Sequence, residues 1–226
     1  MKKIFFFAVA AMAALSMNAQ QIVFSDADIA AAGELDGKAF GTGNLILTVT
    51  DQATKVAIDA NNCYFGDANA QVKFTHRLKT GGKSTSKNTL NLTIGKAGKL
   101  YIYVRTGSNS ATDRNLVVSQ FGAELINKII LESDAIDVAG MDSDDPSKTT
   151  KVYPVLTCDV VEGNVEINYP INGLNFYAFS LDGPVVPEEQ GFESTNAAVK
   201  AEKFFRNGQL IIRKNGVEYN AIGTQF

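Results

Sequence analysis

The 226-residue chain is 45% apolar, enough for a sizeable core in one or two domains, which excludes disordered, collagen-like and membrane-embedded classes. Its 24 acidic residues outnumber 21 basic ones, which argues against a nucleic-acid partner. With one His and two Cys, zinc clusters, multi-His metal sites and dense disulfide frameworks are excluded by counting.

Met1-Lys2-Lys3 is a charged n-region, residues 4–15 are an apolar run rich in Phe and Ala, and Ser16-Met17-Asn18-Ala19 offers a small residue at a cleavage point. Residues 1–19 therefore read as a secretory signal peptide. Export to the periplasm, the outer surface or the extracellular space follows, with no Cys near the cut to carry a lipid anchor. The leader is too short to cross a bilayer and no later run reaches about 18 consecutive apolar residues, so no membrane span is expected.

Ser25-Asp26-Ala27-Asp28, then Ile29 to Ala32 and Gly33, combine an N-cap, an acidic first turn and a glycine stop, which predicts one short helix. Almost everything after it reads as strand, over residues 45–50, 55–58, 71–79, 89–94, 99–105, 115–121, 126–132, 151–161, 164–169 and 174–181. Closely spaced strands with no crossover helices between them predict an all-β, antiparallel β-sandwich of jelly-roll type over residues 20–183. Pro184, Pro187, Glu188, Glu189 and Gly191 then mark a linker over residues 184–200. Residues 201–226 read as a small β-meander whose hairpins turn at Asn207-Gly208 and Asn215-Gly216.

Several features imitate functional motifs. Gly81-Gly82-Lys83-Ser84-Thr85 resembles the end of a phosphate loop, but Arg77 stands where that loop needs its first glycine, so a hairpin tip is expected. His76 shares a strand side with Val72, Phe74 and Leu78, which makes it a packed, hydrogen-bonded core imidazole rather than a catalytic one. Cys63 and Cys158 allow either a disulfide or buried free thiols, Cys158 sharing a strand side with Leu156 and Val160. No resident cofactor is expected. Asp142, Asp144 and Asp145 form either a solvated acidic turn or a calcium site.

The run Lys99-Leu100-Tyr101-Ile102-Tyr103-Val104-Arg105 is the most informative. Leu100, Ile102 and Val104 take the core side, which turns Tyr101, Tyr103 and Arg105 to the opposite face. Two tyrosines and an arginine at two-residue spacing can stack on sugar rings and bond their hydroxyls, or can pack under neighbouring chain.

Together with Asp113-Arg114-Asn115-Leu116-Val117-Val118 and Gly173-Leu174-Asn175-Phe176-Tyr177-Ala178-Phe179, that run resembles the β-sandwich module attached to secreted pectate-lyase-like and other polysaccharide-degrading proteins of Gram-negative bacteria, over about residues 22–182. The resemblance implies a galactose-binding-like or carbohydrate-binding jelly roll, with Tyr101, Tyr103, Arg105 and Arg114 as candidate glycan contacts. The lyase part is absent. Residues 203–223 are similar to short C-terminal sorting segments of the type IX secretion route, though shorter than a full sorting domain. An exported, non-catalytic carbohydrate-binding protein is the expectation. The alternatives are a structural or adhesive surface protein that binds another protein and, third, a glycan-active enzyme.

Overall fold

A computed structural model describes residues 20–139, 141 and 147–185 and, beyond them, the backbone of three further strands. The leader, the Asp142, Asp144 and Asp145 loop, most of the linker and both Asn-Gly turns lie outside the described residues. Two compact units divide the chain, Met1–Val186 and Pro187–Phe226.

The first unit is built almost wholly of strands, as alternation predicts: β1 (Gln20–Val23), β2 (Ala39–Thr42), β3 (Leu45–Asp51), β4 (Val56–Gly66), β5 (Gln71–Thr80), β6 (Asn88–Ile94), β7 (Gly98–Thr106), β8 (Asn115–Gln120), β9 (Ala123–Ile129), β10 (Ile136–Ala139), β11 (Thr149–Tyr153), β12 (Leu156–Val160), β13 (Gly163–Asn168) and β14 (Leu174–Leu181). One sheet has six strands in the order β2-β3-β6-β13-β8-β9. The other has eight, β10-β11-β4-β5-β14-β7-β12, with β1 on β14. All pairings are antiparallel except β11 with β4. In the second unit β15 (Glu202–Arg206), β16 (Gln209–Lys214) and β17 (Val217–Asn220) pair in order as an antiparallel meander.

The two sheets face each other across one core. Leu45, Leu47, Leu90, Leu92, Val165 and Ile167 of the six-stranded sheet meet Leu78, Leu100, Ile102, Leu174, Phe176 and Phe179 of the eight-stranded one, all of them buried. This is a β-sandwich, and burial of apolar area on the inner faces is its main stabilising contribution.

The larger sheet also rolls up. β11 and β12 stand near opposite ends of its strand order, yet only Pro154 and Val155 separate them. Three peptide steps reach no more than about 11 Å, so the two ends of the sheet must approach each other. Part of the outer face of β7 and β14 is thereby enclosed, and a second cluster fills the space, in which Tyr103 and Tyr177 meet Cys63 and Phe65 of β4, Phe74 of β5 and Tyr153 of β11. Rings from five strands meet there. The Phe65 centroid lies 5.7 Å from Phe74, 5.7 Å from Tyr103, 5.8 Å from Tyr153 and 5.2 Å from Tyr177.

Two predicted elements differ. The helix is only a 3-10 turn, Asp26–Asp28, because the Ala30 backbone is used elsewhere. Ala30 exchanges N–H···O bonds of 3.2 and 2.9 Å with Ile58 of β4, which an α-helix would forbid. Residues 151–161 are two strands rather than one, since Pro154 supplies no N–H and the chain changes neighbours there, from β10 and β4 to β7.

Candidate functional site

Alternation along β7 holds. Leu100, Ile102 and Val104 are buried in the sandwich core, and Tyr101, Tyr103 and Arg105 lie on the other face. That face is largely enclosed. Tyr103 is 1% exposed, its ring against Phe65 and Phe74, and its hydroxyl accepts the Val185 N–H at 2.7 Å. Ser180 fixes the same chain segment by donating to the Gly183 carbonyl at 2.6 Å, so the residues after β14 strap across the tyrosine. Burial pushes the Tyr103 hydroxyl above its ordinary pKa.

Arg105 is equally committed. Its Nη2 donates to Asn109 at 2.8 Å and to Glu132 at 3.2 Å, and the guanidinium stacks 4.7 Å from the Tyr153 ring centroid. Tyr153 donates its hydroxyl to the Glu132 carboxylate at 2.8 Å. Burial and the bond to Glu132 both push the Tyr153 pKa upward. Arg105 Nε is buried without a partner among the described residues. Beside this network, between the β9 and β12 edges, Val104, Ile130, Tyr153 and Leu156 line a cavity of about 10 Å³, room for one water and not for a sugar.

Arg114 does not join the other three. Its Nη1 donates to the Gly173 carbonyl, and a side chain at Gly107 would collide with the same guanidinium, so it ties two loops together. Tyr101 is partly exposed, as the two arginines are, and faces Thr157 of β12 and Ser180 of β14 across the ladder. Its hydroxyl has no hydrogen-bond partner among the described residues.

The imitating motifs resolve into structure. His76 is 5% exposed, with Nε2 3.0 Å from Asp26 and Nδ1 2.9 Å from the Thr75 hydroxyl. The tautomer that donates from Nε2 and accepts at Nδ1 satisfies both contacts. The Gly81-to-Thr85 segment is tied down, Gly81 N–H donating to Lys55 at 2.6 Å and Ser84 N–H to Tyr169 at 3.0 Å. Both cysteines are free thiols, Cys63 in the outer aromatic cluster and Cys158 against the sandwich core. The intervening sheet keeps them from bonding, and burial pushes each thiol up to about 11.

Sequence reasoning missed Glu132, Tyr153 and Cys63 as neighbours of Arg105. Their positions lie 27, 48 and 42 residues away along the chain and carry no spacing signal. Among the described residues no three His, Cys, Asp or Glu side chains converge as a metal site, and the calcium expectation at Asp142, Asp144 and Asp145 lies outside them. No helix among the described residues is long and apolar enough to cross a membrane. No protein-family model matches the chain, and no curated protein matches it in sequence.

Proposed function

We propose that this is an exported, non-catalytic β-sandwich that binds carbohydrate, as the leader and the resemblance of its strand motifs suggest. The reactive side chains support the non-catalytic part. His76 is held by Asp26 and Thr75, Arg105 by Glu132 and Asn109, and both thiols are driven toward the unreactive form by burial.

One observation carries the carbohydrate part. Tyr101 packs against the aromatic cluster yet stays partly exposed, and its hydroxyl has no hydrogen-bond partner among the described residues, with Thr157 opposite and the Lys99–Asp159 ion pair, 3.2 Å, one alternate position along the same strand pair. A flat apolar body beside hydroxyl, ammonium and carboxylate groups matches the amphipathic surface of a sugar ring. Glycan-array binding by the mature chain is the test, with Tyr101→Ala and Tyr103→Phe beside it. Tyr101→Ala should weaken binding by about 1–3 kcal/mol, whereas Tyr103→Phe keeps the buried ring and should leave affinity unchanged. A mature chain that binds no glycan refutes the reading.

A further inference from the structure

The outward face of the six-stranded sheet differs in kind from the rest of the surface. Alternation sends Leu47, Leu90, Leu92, Val165, Ile167 and Val118 inward, where all are buried. The residues between them form rows that cross the sheet. Thr48 pairs with Asn91, Asn91 with Glu166, and Glu166 with Ser119, so four strands contribute one continuous line. A line above it runs from Ile46 through Thr93 to Asn164, and one below it starts with Thr50 and Thr89. Neighbouring strands stand about 4.8 Å apart and alternate residues about 6.7 Å apart, which makes these side chains a two-dimensional grid.

Charge is sparse on the grid. One residue in five of the whole chain is charged, at 20%, whereas Glu166 is the one ionised group that β3, β6, β13 and β8 bring to those three rows, the first of which ends on β9 at a second carboxylate, Glu124, opposite Ser119. Hydroxyls and carboxamides replace it, and much of their bonding capacity is unused. Asn91 donates to Thr89 at 3.3 Å and Thr93 to Asn164 at 3.4 Å, both long bonds. The side chains of Thr48, Thr50, Ser119 and Glu166 have no hydrogen-bond partner among the described residues.

Such a face is a poor protein interface, because the rows contain no aromatic residue, Met or Arg, the side chains that anchor protein contacts. It is a poor site for polyanions too, having no cation in the rows. What it complements is a ligand dense in neutral donors and acceptors at regular spacing. We propose that the outward face of the six-stranded sheet is a binding surface for an extended, uncharged polysaccharide, whose hydroxyls bond the Thr, Asn and Ser grid across β3, β6, β13 and β8. This rests on the carbohydrate reading above but places the ligand on the opposite sheet from Tyr101.

Depletion assays with insoluble cellulose and insoluble mannan provide the test, using the mature full chain, Glu166→Ala, the double variant Asn91→Ala with Glu166→Ala, and Tyr101→Ala. The double variant should lower affinity for at least one of the two polymers by about tenfold with an unchanged melting temperature, and Glu166→Ala alone by less. Wild-type binding should persist in high salt, because nearly no charge is involved. If the double variant binds as the wild type does while Tyr101→Ala does not, the proposal falls and the Tyr101 site stands. If the wild type binds neither polymer but does bind other glycans on an array, the extended-polymer assignment falls alone. Binding of no glycan at all removes both. Self-association of the wild type that the double variant abolishes would make the face a contact between copies and overturn the proposal.

Discussion

The two sheets present outward faces of opposite character. That of β7 and β14 in the eight-stranded sheet carries Tyr101, Tyr103 and Tyr177 and is largely enclosed by the sheet's own roll, which brings Phe65 and Phe74 against it, and by the Gly183–Val185 strap. That of the six-stranded sheet carries threonine and asparagine and is left at least partly exposed by the described residues. Pointing away from the sandwich core is therefore not the same as pointing at water. A strand's pleat decides only which side of its sheet a residue takes, and the neighbouring chain decides whether that side is solvent.

The sharpest break between the faces is energetic. Tyr103→Ala should cost about 3–5 kcal/mol of stability by leaving a hole among Phe65, Phe74 and Tyr177, measured by chemical denaturation. The same change should open Cys63 to thiol reagents, since the two lie in one cluster. A cost under about 1 kcal/mol would mean that the roll is not closed around this ring.

Next in size is the ionic rim of the enclosed cluster. Arg105 and Glu132 keep side-chain exposures of 17% and 16%, so the pair is screened less than a surface pair and more than a fully buried one. Glu132→Ala, which leaves Arg105 and the Tyr153 hydroxyl short of an acceptor, should cost about 2–3 kcal/mol. Glu132→Gln keeps an oxygen for Tyr153 and should cost less; equal losses for the two variants would contradict the bonding scheme.

A smaller, pH-dependent effect belongs to the exposed side of the β4–β5 hairpin. Partial burial raises the Asp59 pKa, but hydrogen bonds from Arg77 and Lys79 and their charges outweigh it and hold the carboxyl below its ordinary value. A depressed folded-state pKa contributes stability above the unfolded value, about 3.9, which is lost as pH falls through the folded one. The melting-temperature gap between wild type and Asp59→Asn should therefore be widest at neutral pH and narrow below about pH 4. A gap independent of pH would show that the ion pairs add nothing.

The smallest effect is expected on the open face. Thr48→Ala should change stability by no more than about 0.5 kcal/mol, since its side chain has no hydrogen-bond partner among the described residues. A cost resembling that of Tyr103→Ala would show that this face is covered as well.

Much of the architecture was legible locally. Val72, Phe74, His76 and Leu78 share one side of β5, and the buried imidazole follows from that register. What the register did not disclose is that those side chains serve two different interiors, Leu78 in the sandwich core and Phe74 in the aromatic cluster. A bulge between Ala60 and Cys63 shifts the register of the β4–β5 pair midway, and β14 holds β5 at only two positions before β1 takes over its edge. Local rules are blind to such departures.

Composition and two-residue alternation determined by themselves that this chain is all-β, which side of its strand each apolar residue takes, and that Tyr101, Tyr103 and Arg105 oppose Leu100, Ile102 and Val104, because each follows from the pleat of a single strand. Tertiary structure alone decided that Tyr103 and Arg105 are enclosed, that Arg114 serves two loops, that the cysteines stay apart and that threonines from separate strands align into rows. Those outcomes depend on which strands become neighbours and on how far a sheet curls. Contacts between residues distant in sequence set both, and no short window of sequence contains them.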